Sequence, residues 1–186
     1  GAEDHMSALL NSTGSMALWR VAVKPGRPLA MGLWQGVPVF GLPGNPVAAF
    51  VCTAIFAAPA LQQMAGGGWP VPHGFSVPAA FHKSKKPGRR EFLRARIREG
   101  RVEAFGSEGS GRISGLSWAE GLVELGPSEH LLRGERRGGG AVLRRRLATD
   151  ERKEGEEGQG GDEVDEALTW FRQVLEWQQD TREPEE

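Results

Sequence analysis

The chain has 186 residues, 39% of them hydrophobic, with 27 glycines, 12 prolines and a single cysteine. That much Gly and Pro favours short strands and turns over a helical bundle, and one cysteine excludes an internal disulfide. The net charge of -1 hides a polarity: residues 1–149 hold 19 Lys+Arg and 10 Asp+Glu, giving +9, while residues 150–186 hold 4 and 14, giving -10.

A basic body points to an anionic ligand, or to an acidic tail that folds back on it. No signal-peptide pattern is visible and no apolar run reaches about 18 residues, so the cytoplasm is the expected compartment and no membrane partner is expected. Cys52 lies in an apolar run and reads as a buried structural thiol. The opening, Gly1 followed by Glu3-Asp4-His5-Met6, reads as the start of a fragment.

Residues 4–10 suit the first turns of a helix, with Asp4 near its N-terminus. Trp19 to Val23 alternates large apolar with basic or small residues and reads as a strand, which Lys24-Pro25-Gly26-Arg27-Pro28 breaks. On an extended strand Arg20, Ala22 and Lys24 share one face, so Arg20 and Lys24 are expected to converge on one anion. Leu29–Trp34 and Val37–Leu42 flank Gln35-Gly36 as a hairpin.

Gly41-Leu42-Pro43-Gly44-Asn45-Pro46 closes this apolar run and opens a helix in which Val47, Phe50, Val51, Ala54 and Ile55 recur at three- and four-residue spacing. Asn45 suits the N-cap, Pro46 the first helical position. Pro59 is expected to kink or split the helix, and Gly66-Gly67-Gly68 to end it. A strand that turns through a tight loop into a helix aims backbone N–H groups at one point, which suits an anion. Two readings of the loop stand: an anion cradle, in which Gly44 lets backbone approach a ligand, or a plain connection. Lys24 and Arg27, in a proline-fixed loop, favour the cradle; the bland alternative is a pair of surface cations.

After the linker Trp69-Pro70-Val71-Pro72 the period falls to two. Phe75–Phe81, Glu91–Ile97, Val102–Phe105 and Leu122–Leu125 read as strands, with a helical turn in Gly111–Trp118. This predicts a small all-β module over residues 73–135. Lys83 to Arg90 forms a basic loop, read as a solvated hairpin or a nucleic-acid patch; it lacks interleaved aromatics and a recognition helix, so nucleic acid is not the expected partner. His5, His73, His82 and His130 have no zinc-site spacing. Residues 150–161 are almost wholly Glu, Gly, Asp, Lys and Arg and read as disordered. An amphipathic helix follows over residues 163–180, expected to dock on the body or on a partner.

The run from Trp19 through Lys24-Pro25-Gly26-Arg27-Pro28, followed by Gly41-Leu42-Pro43-Gly44-Asn45-Pro46-Val47, resembles the molybdopterin molybdenumtransferase family, relatives of the gephyrin E domain. Arg90-Glu91-Phe92-Leu93-Arg94, Gly106-Ser107 to Ser110-Gly111 and Leu116 to Leu122 resemble that family's C-terminal β-barrel domain. The resemblance implies the C-terminal half of a molybdopterin-binding α/β domain (residues 1–68), a small β-barrel (residues 73–135) and a low-complexity acidic tail (residues 136–186). It implies insertion of molybdate into adenylylated molybdopterin with release of AMP, assisted by Mg²⁺, in a parent that is a homodimer.

By position, Asp4 resembles the acidic residue of the metal or molybdate site. Lys24 and Arg20 resemble the basic pair of the catalytic site, with Arg20 where a lysine is usual in some members. Pro43 and Pro46 match the two loop prolines, and with Gly44, Asn45 and Arg27 would bind the cofactor. Arg90, Ser110 and Ser114 fall in barrel segments placed near the site. The family's upstream strand, its Thr/Ser-Gly-Gly anion loop and two earlier domains have no counterpart here, so little activity is expected of this chain by itself. The segment after Glu135 does not resemble the family's ending; a native extension and a frameshift both stand. The rival function is a non-catalytic pterin-binding or scaffold module related to gephyrin.

Overall fold

A computed structural model describes residues 5–12, 16–70, 74–107, 112–126, 131–132 and 140–145. Asp4, Ser110 and the proposed helix at 163–180 lie outside the described residues.

The chain opens with α1 (His5–Ser12) and β1 (Met16–Trp19). The expected strand through residue 23 does not continue. Arg20 takes a left-handed backbone, φ 68°, and the chain re-enters a sheet only at β2 (Val23–Lys24). The amides of Arg20 and Val21 donate instead to the carbonyls of Leu29 and Arg27, at 3.1 and 3.0 Å. Such a φ is uncommon for a non-glycine residue, and this hydrogen-bonded loop holds it. β1 pairs with β3 (Ala30–Trp34), whereas β2 pairs with a strand of the second lobe, so Arg20 and Lys24 do not share one strand face.

β3 and β4 (Val37–Gly41) form the hairpin expected from Gln35-Gly36, whose φ values of 51° and 82° give the mirror-image turn that matches strand twist. The chain then turns into α2 (Pro46–Cys52), a wider π-helical turn (Thr53–Ala57) and α3 (Ala58–Gln62). Pro59 cannot donate to a carbonyl one turn back, and the widened turn precedes it; the helix is continuous rather than split. The run Pro46–Gly67 is long and apolar enough to cross a membrane by length and composition, contrary to the sequence expectation. Val51, Cys52, Phe56 and Ala60 are nevertheless buried against Val21, Val23, Leu29, Met31 and Phe92, as in a core helix.

The second lobe holds β5 (Gly74–Pro78), β6 (Lys83–Ser84), β7 (Arg90–Arg98), β8 (Arg101–Ala104), α4 (Ser114–Trp118), β9 (Gly121–Leu125), β10 (Leu131–Leu132) and β11 (Gly140–Arg145). Its large sheet runs β2-β7-β9-β11-β5, with β8 also on β7. Among the described residues the expected barrel is not closed by a continuous ladder: a single bridge, Ala79 to Val102, links the β5 end to β8. The architecture is mixed α/β, with several sheets and few helices. The sheet also takes in β11, from the segment read as tail.

β7 is the wall common to both lobes. Alternate residues of a strand face opposite sides. Phe92 packs into the first core, while Leu93, Ala95 and Ile97 join Val77, Val102, Val123 and Leu125 in the second. The parallel pairing of Val23 with Arg90 and Lys24 with Glu91 ties the lobes together. The linker read at residues 69–72 lies between the two lobes, and the β2–β7 pairing is a contact between them.

Candidate functional site: two cation-bearing faces of one strand junction

The β2–β7 junction carries a small pocket and an open groove. Lys24, Pro25, Val47, Glu91, Phe92, Leu93, Arg94, Phe105 and Ser107 line the pocket. The expected neighbours Lys24 and the helix start at Val47 do meet here. Its volume of about 40 Å³ holds a few water molecules, not a pterin.

Its polar groups bond one another. The Lys24 ammonium sits 3.5 Å from Glu91 Oε2, and Lys83 approaches the same oxygen at 3.5 Å. Glu91 is only 2% exposed, so two cations compensate a carboxylate removed from water. The amides of Val47 and Ala48 donate to Asn45 Oδ1 at 3.1 and 3.2 Å, Ala49 N donates to Asn45 O at 2.8 Å, and Pro46 has no N–H. The N-cap predicted from sequence forms, and it occupies the donors that an anion would use. Pro43 is buried, Gly44 is exposed with open space around it, and Pro43 through Pro46 lie outside the pocket lining.

Arg94 closes the far side. It donates to the carbonyls of Arg112 at 2.7 Å and Ser107 at 2.6 Å, and its guanidinium lies 4.8 Å from the Phe105 ring centroid. Burial lowers its pKa from the usual guanidinium value. A Cβ on Gly115 would meet Arg94 Nη1 at 2.5 Å, so glycine is required there. Arg90 pairs with Glu124 across the sheet, and Ser114 is exposed at the start of α4; neither lines the pocket or the groove.

The groove is of another kind. Arg20, Val21, Ala22, Arg27, Lys86, Pro87, Gly88 and Arg89 line a volume of about 470 Å³, within the usual size of small-molecule sites. Arg20, Arg27 and Lys86 are exposed and Arg89 is half-buried. Its two walls are joined where Arg90 N donates to Ala22 O at 3.0 Å. The buried Lys85 ammonium donates to the carbonyls of Arg89 at 2.8 Å and Lys86 at 3.4 Å, which fixes the loop that presents Lys86 and Arg89. Sequence reasoning named Arg20 and Arg27 but read Lys83–Arg90 as a solvated hairpin and chose Arg90 over Arg89. Arg89 lies one residue before the first β2–β7 pair, Val23 with Arg90, and so at the loop.

Among the described residues no cluster of three His, Cys, Asp or Glu can hold a metal. Glu91, the carboxylate of this corner, is committed to two ammonium groups.

The fold and groove define a mixed α/β protein with a cation-lined cleft at the seam between its lobes. Residues 1–63 match the family profile described as a probable molybdopterin binding domain, and residues 76–136 match that of the MoeA C-terminal region, domain IV. Over these segments the chain belongs to the molybdopterin molybdenumtransferase family. It is 36% identical over 95 residues to the molybdopterin molybdenumtransferase of Haemophilus influenzae, covering 50% of this chain and 24% of that protein. Molybdopterin molybdenumtransferase 2 of Mycobacterium tuberculosis is 36% identical over 109 residues, 57% of this chain and 27% of its own. The chain thus spans about a quarter of these relatives. A crystal structure of a molybdopterin biosynthesis protein from Pyrococcus horikoshii shares the fold with a TM-score of 0.62 at 23% identity, over 75% of this chain and 34% of that one.

Proposed function

We propose that this chain contributes the anion-binding seam of a molybdopterin molybdenumtransferase, which inserts molybdate into adenylylated molybdopterin and releases AMP. The observation that carries this reading is the convergence of Arg20, Arg27, Lys86 and Arg89 on one groove, from two segments brought together by β2–β7 pairing. Guanidinium groups bind tetrahedral oxyanions through paired, charge-assisted hydrogen bonds. Adenylylated molybdopterin carries phosphoryl charge where AMP departs, and molybdate is a tetrahedral dianion. The groove cations hold these oxygens and stabilise the charge that develops on the leaving phosphate.

In this reading Lys24 works from the adjoining pocket, oriented by Glu91, and Arg94 keeps the Ser107 and Arg112 ends of their loop in place. Asp4, Ser110 and Ser114 keep their proposed roles from the resemblance, Asp4 as the Mg²⁺-side carboxylate. The small barrel, the cytoplasmic location and the homodimer belong to the same proposal. Exposed Met6, Leu9, Trp34 and Val37 are apolar surface that a second copy would cover.

The test is calorimetric titration of the full chain with inorganic pyrophosphate and with molybdate. Arg27→Ala is expected to weaken pyrophosphate binding about tenfold, the usual worth of a hydrogen bond between charged groups. Absence of binding to the unaltered chain, or equal binding by the variant, overturns the reading.

A further inference from the structure

We propose that Lys85 is a positioning residue for the anion groove: its buried ammonium holds Lys86 and Arg89 in the arrangement that an anion meets, without touching the anion itself. The inference rests on the reading of the groove as an anion site. Arg27, Lys86 and Arg89 have no carboxylate partner among the described residues, so their places are set by the backbone that carries them.

The two walls of the groove are fixed by different means. The wall that carries Arg27 is tied down by backbone and core. Val21 N donates to Arg27 O at 3.0 Å, Leu29 N to Gly26 O at 3.1 Å and the Cys52 thiol to Gly26 O at 3.6 Å, while Val21, Val23 and Leu29 are buried in the first core. The wall that carries Lys86 and Arg89 is held otherwise. It spans the gap between Ser84, paired with Leu131, and Arg90, paired with Val23, and none of its residues from Lys86 to Arg89 is buried. Among the described residues, the hydrogen bonds of Lys86 through Arg89 are those that their carbonyls accept from Lys85 Nζ, at 2.8 Å for Arg89 O and a longer, weaker 3.4 Å for Lys86 O.

One ammonium therefore grips both ends of the exposed stretch from the buried side, where Lys85 is 9% exposed. The peptide between Arg89 and Arg90 is planar and trans, so its C=O and N–H point opposite ways. The C=O meets Lys85, and the N–H donates to Ala22 O at 3.0 Å on the other wall. That single peptide fixes the loop to Lys85 on one side and to the Arg27 wall on the other. Without the ammonium it is held from one side only, and the spacing of Lys86 and Arg89 from Arg27 is no longer set. Loop residues that must be ordered when a ligand arrives subtract from its affinity, so a loop ordered beforehand binds more tightly.

Calorimetric titration of the full chain with inorganic pyrophosphate tests this. Lys85→Met is expected to weaken binding about tenfold, the usual worth of one hydrogen bond between charged groups. In the Arg27→Ala background, on the other wall, the same loss should persist. In the Lys86→Ala background it should shrink to about twofold, because one cation that Lys85 places is already gone. Equal losses in both backgrounds would mean that Lys85 acts as a distant charge or through overall stability, and would overturn the proposal; so would unchanged affinity in Lys85→Met. A second measurement needs no substitution. Coupling is reciprocal, so a ligand that profits from the Lys85 contacts must strengthen them in turn. Under a brief pulse of acetic anhydride, saturating pyrophosphate should slow acetylation of Lys85 about tenfold, although Lys85 does not line the groove. Protection of Lys86 with an unchanged rate at Lys85 overturns the proposal. If pyrophosphate binds and Arg27→Ala weakens it while Lys85→Met does not, Lys85 loses its role and the groove reading stands; a chain that does not bind pyrophosphate loses both.

Discussion

The pocket at Lys24 and the groove at Arg27 are built from the same junction and filled in opposite ways. In the pocket, cations and backbone donors face partners inside the protein: Lys24 and Lys83 face Glu91, Arg94 faces two carbonyls, and the helix amides face Asn45. In the groove, four cations line an open volume more than ten times larger. Charge in a small, closed space stabilises the fold, because leaving it uncompensated there is costly. Around the open cleft, Arg27, Lys86 and Arg89 have no carboxylate partner among the described residues and remain available to a ligand. Proximity of a lysine to a helix start therefore does not by itself make an anion site; the donors must also be available.

This contrast predicts that pocket substitutions move stability and groove substitutions move binding. Glu91→Ala should have the largest effect, lowering stability by about 2–3 kcal/mol in urea denaturation, less than for a fully buried pair because Lys24 is 41% exposed. An unchanged midpoint would break the contrast on the pocket side.

Next comes Cys52, whose thiol lies in the core behind the junction. Burial pushes its pKa up to about 12 from 9.0. The neutral thiol is thus favoured in the folded state, and the unfolded chain loses its proton first. Stability should fall from about pH 9 upward by as much as about 1.4 kcal/mol per pH unit. Denaturation curves at pH 8 and pH 10 should show this loss in the unaltered chain and a smaller one in Cys52→Ala. Equal losses would mean that the thiol is not buried.

Asn45→Ala should cost about 1 kcal/mol by uncapping the helix. It also releases the amides of Val47 and Ala48, so it sharpens the comparison: a gain in anion binding would mean that the cap alone keeps the pocket from acting as a cradle. The smallest stability effect is expected for Arg27→Ala, within about 0.5 kcal/mol by the same denaturation, because the side chain is exposed. A larger loss would make Arg27 a structural cation rather than a ligand-facing one.

What could be read in advance divides along the same lines. The Gln35-Gly36 hairpin, the Asn45 cap and the helix from Pro46 followed from rules that act within a few residues, and the structure has them. The pairing of Arg20 with Lys24 on one strand did not hold, because long-range bonds to Leu29 and Arg27 turn the chain at Arg20. The helix through Pro59 stayed continuous because its apolar face is buried in the core. Lys86 and Arg89 could not be separated by pattern from the other cations of the basic loop, since all look alike in a charge run.

The sequence alone therefore determined the local elements, the polarity between a basic body and an acidic tail, and the presence of cations around two loops. Tertiary structure decided which of those cations face the interior and which face a cleft. The deciding contact is the parallel pairing of Val23 and Lys24 with Arg90 and Glu91, distant in the chain and adjacent in space. Whether a cation is compensated depends on what lies across from it, and no local rule reaches across that gap.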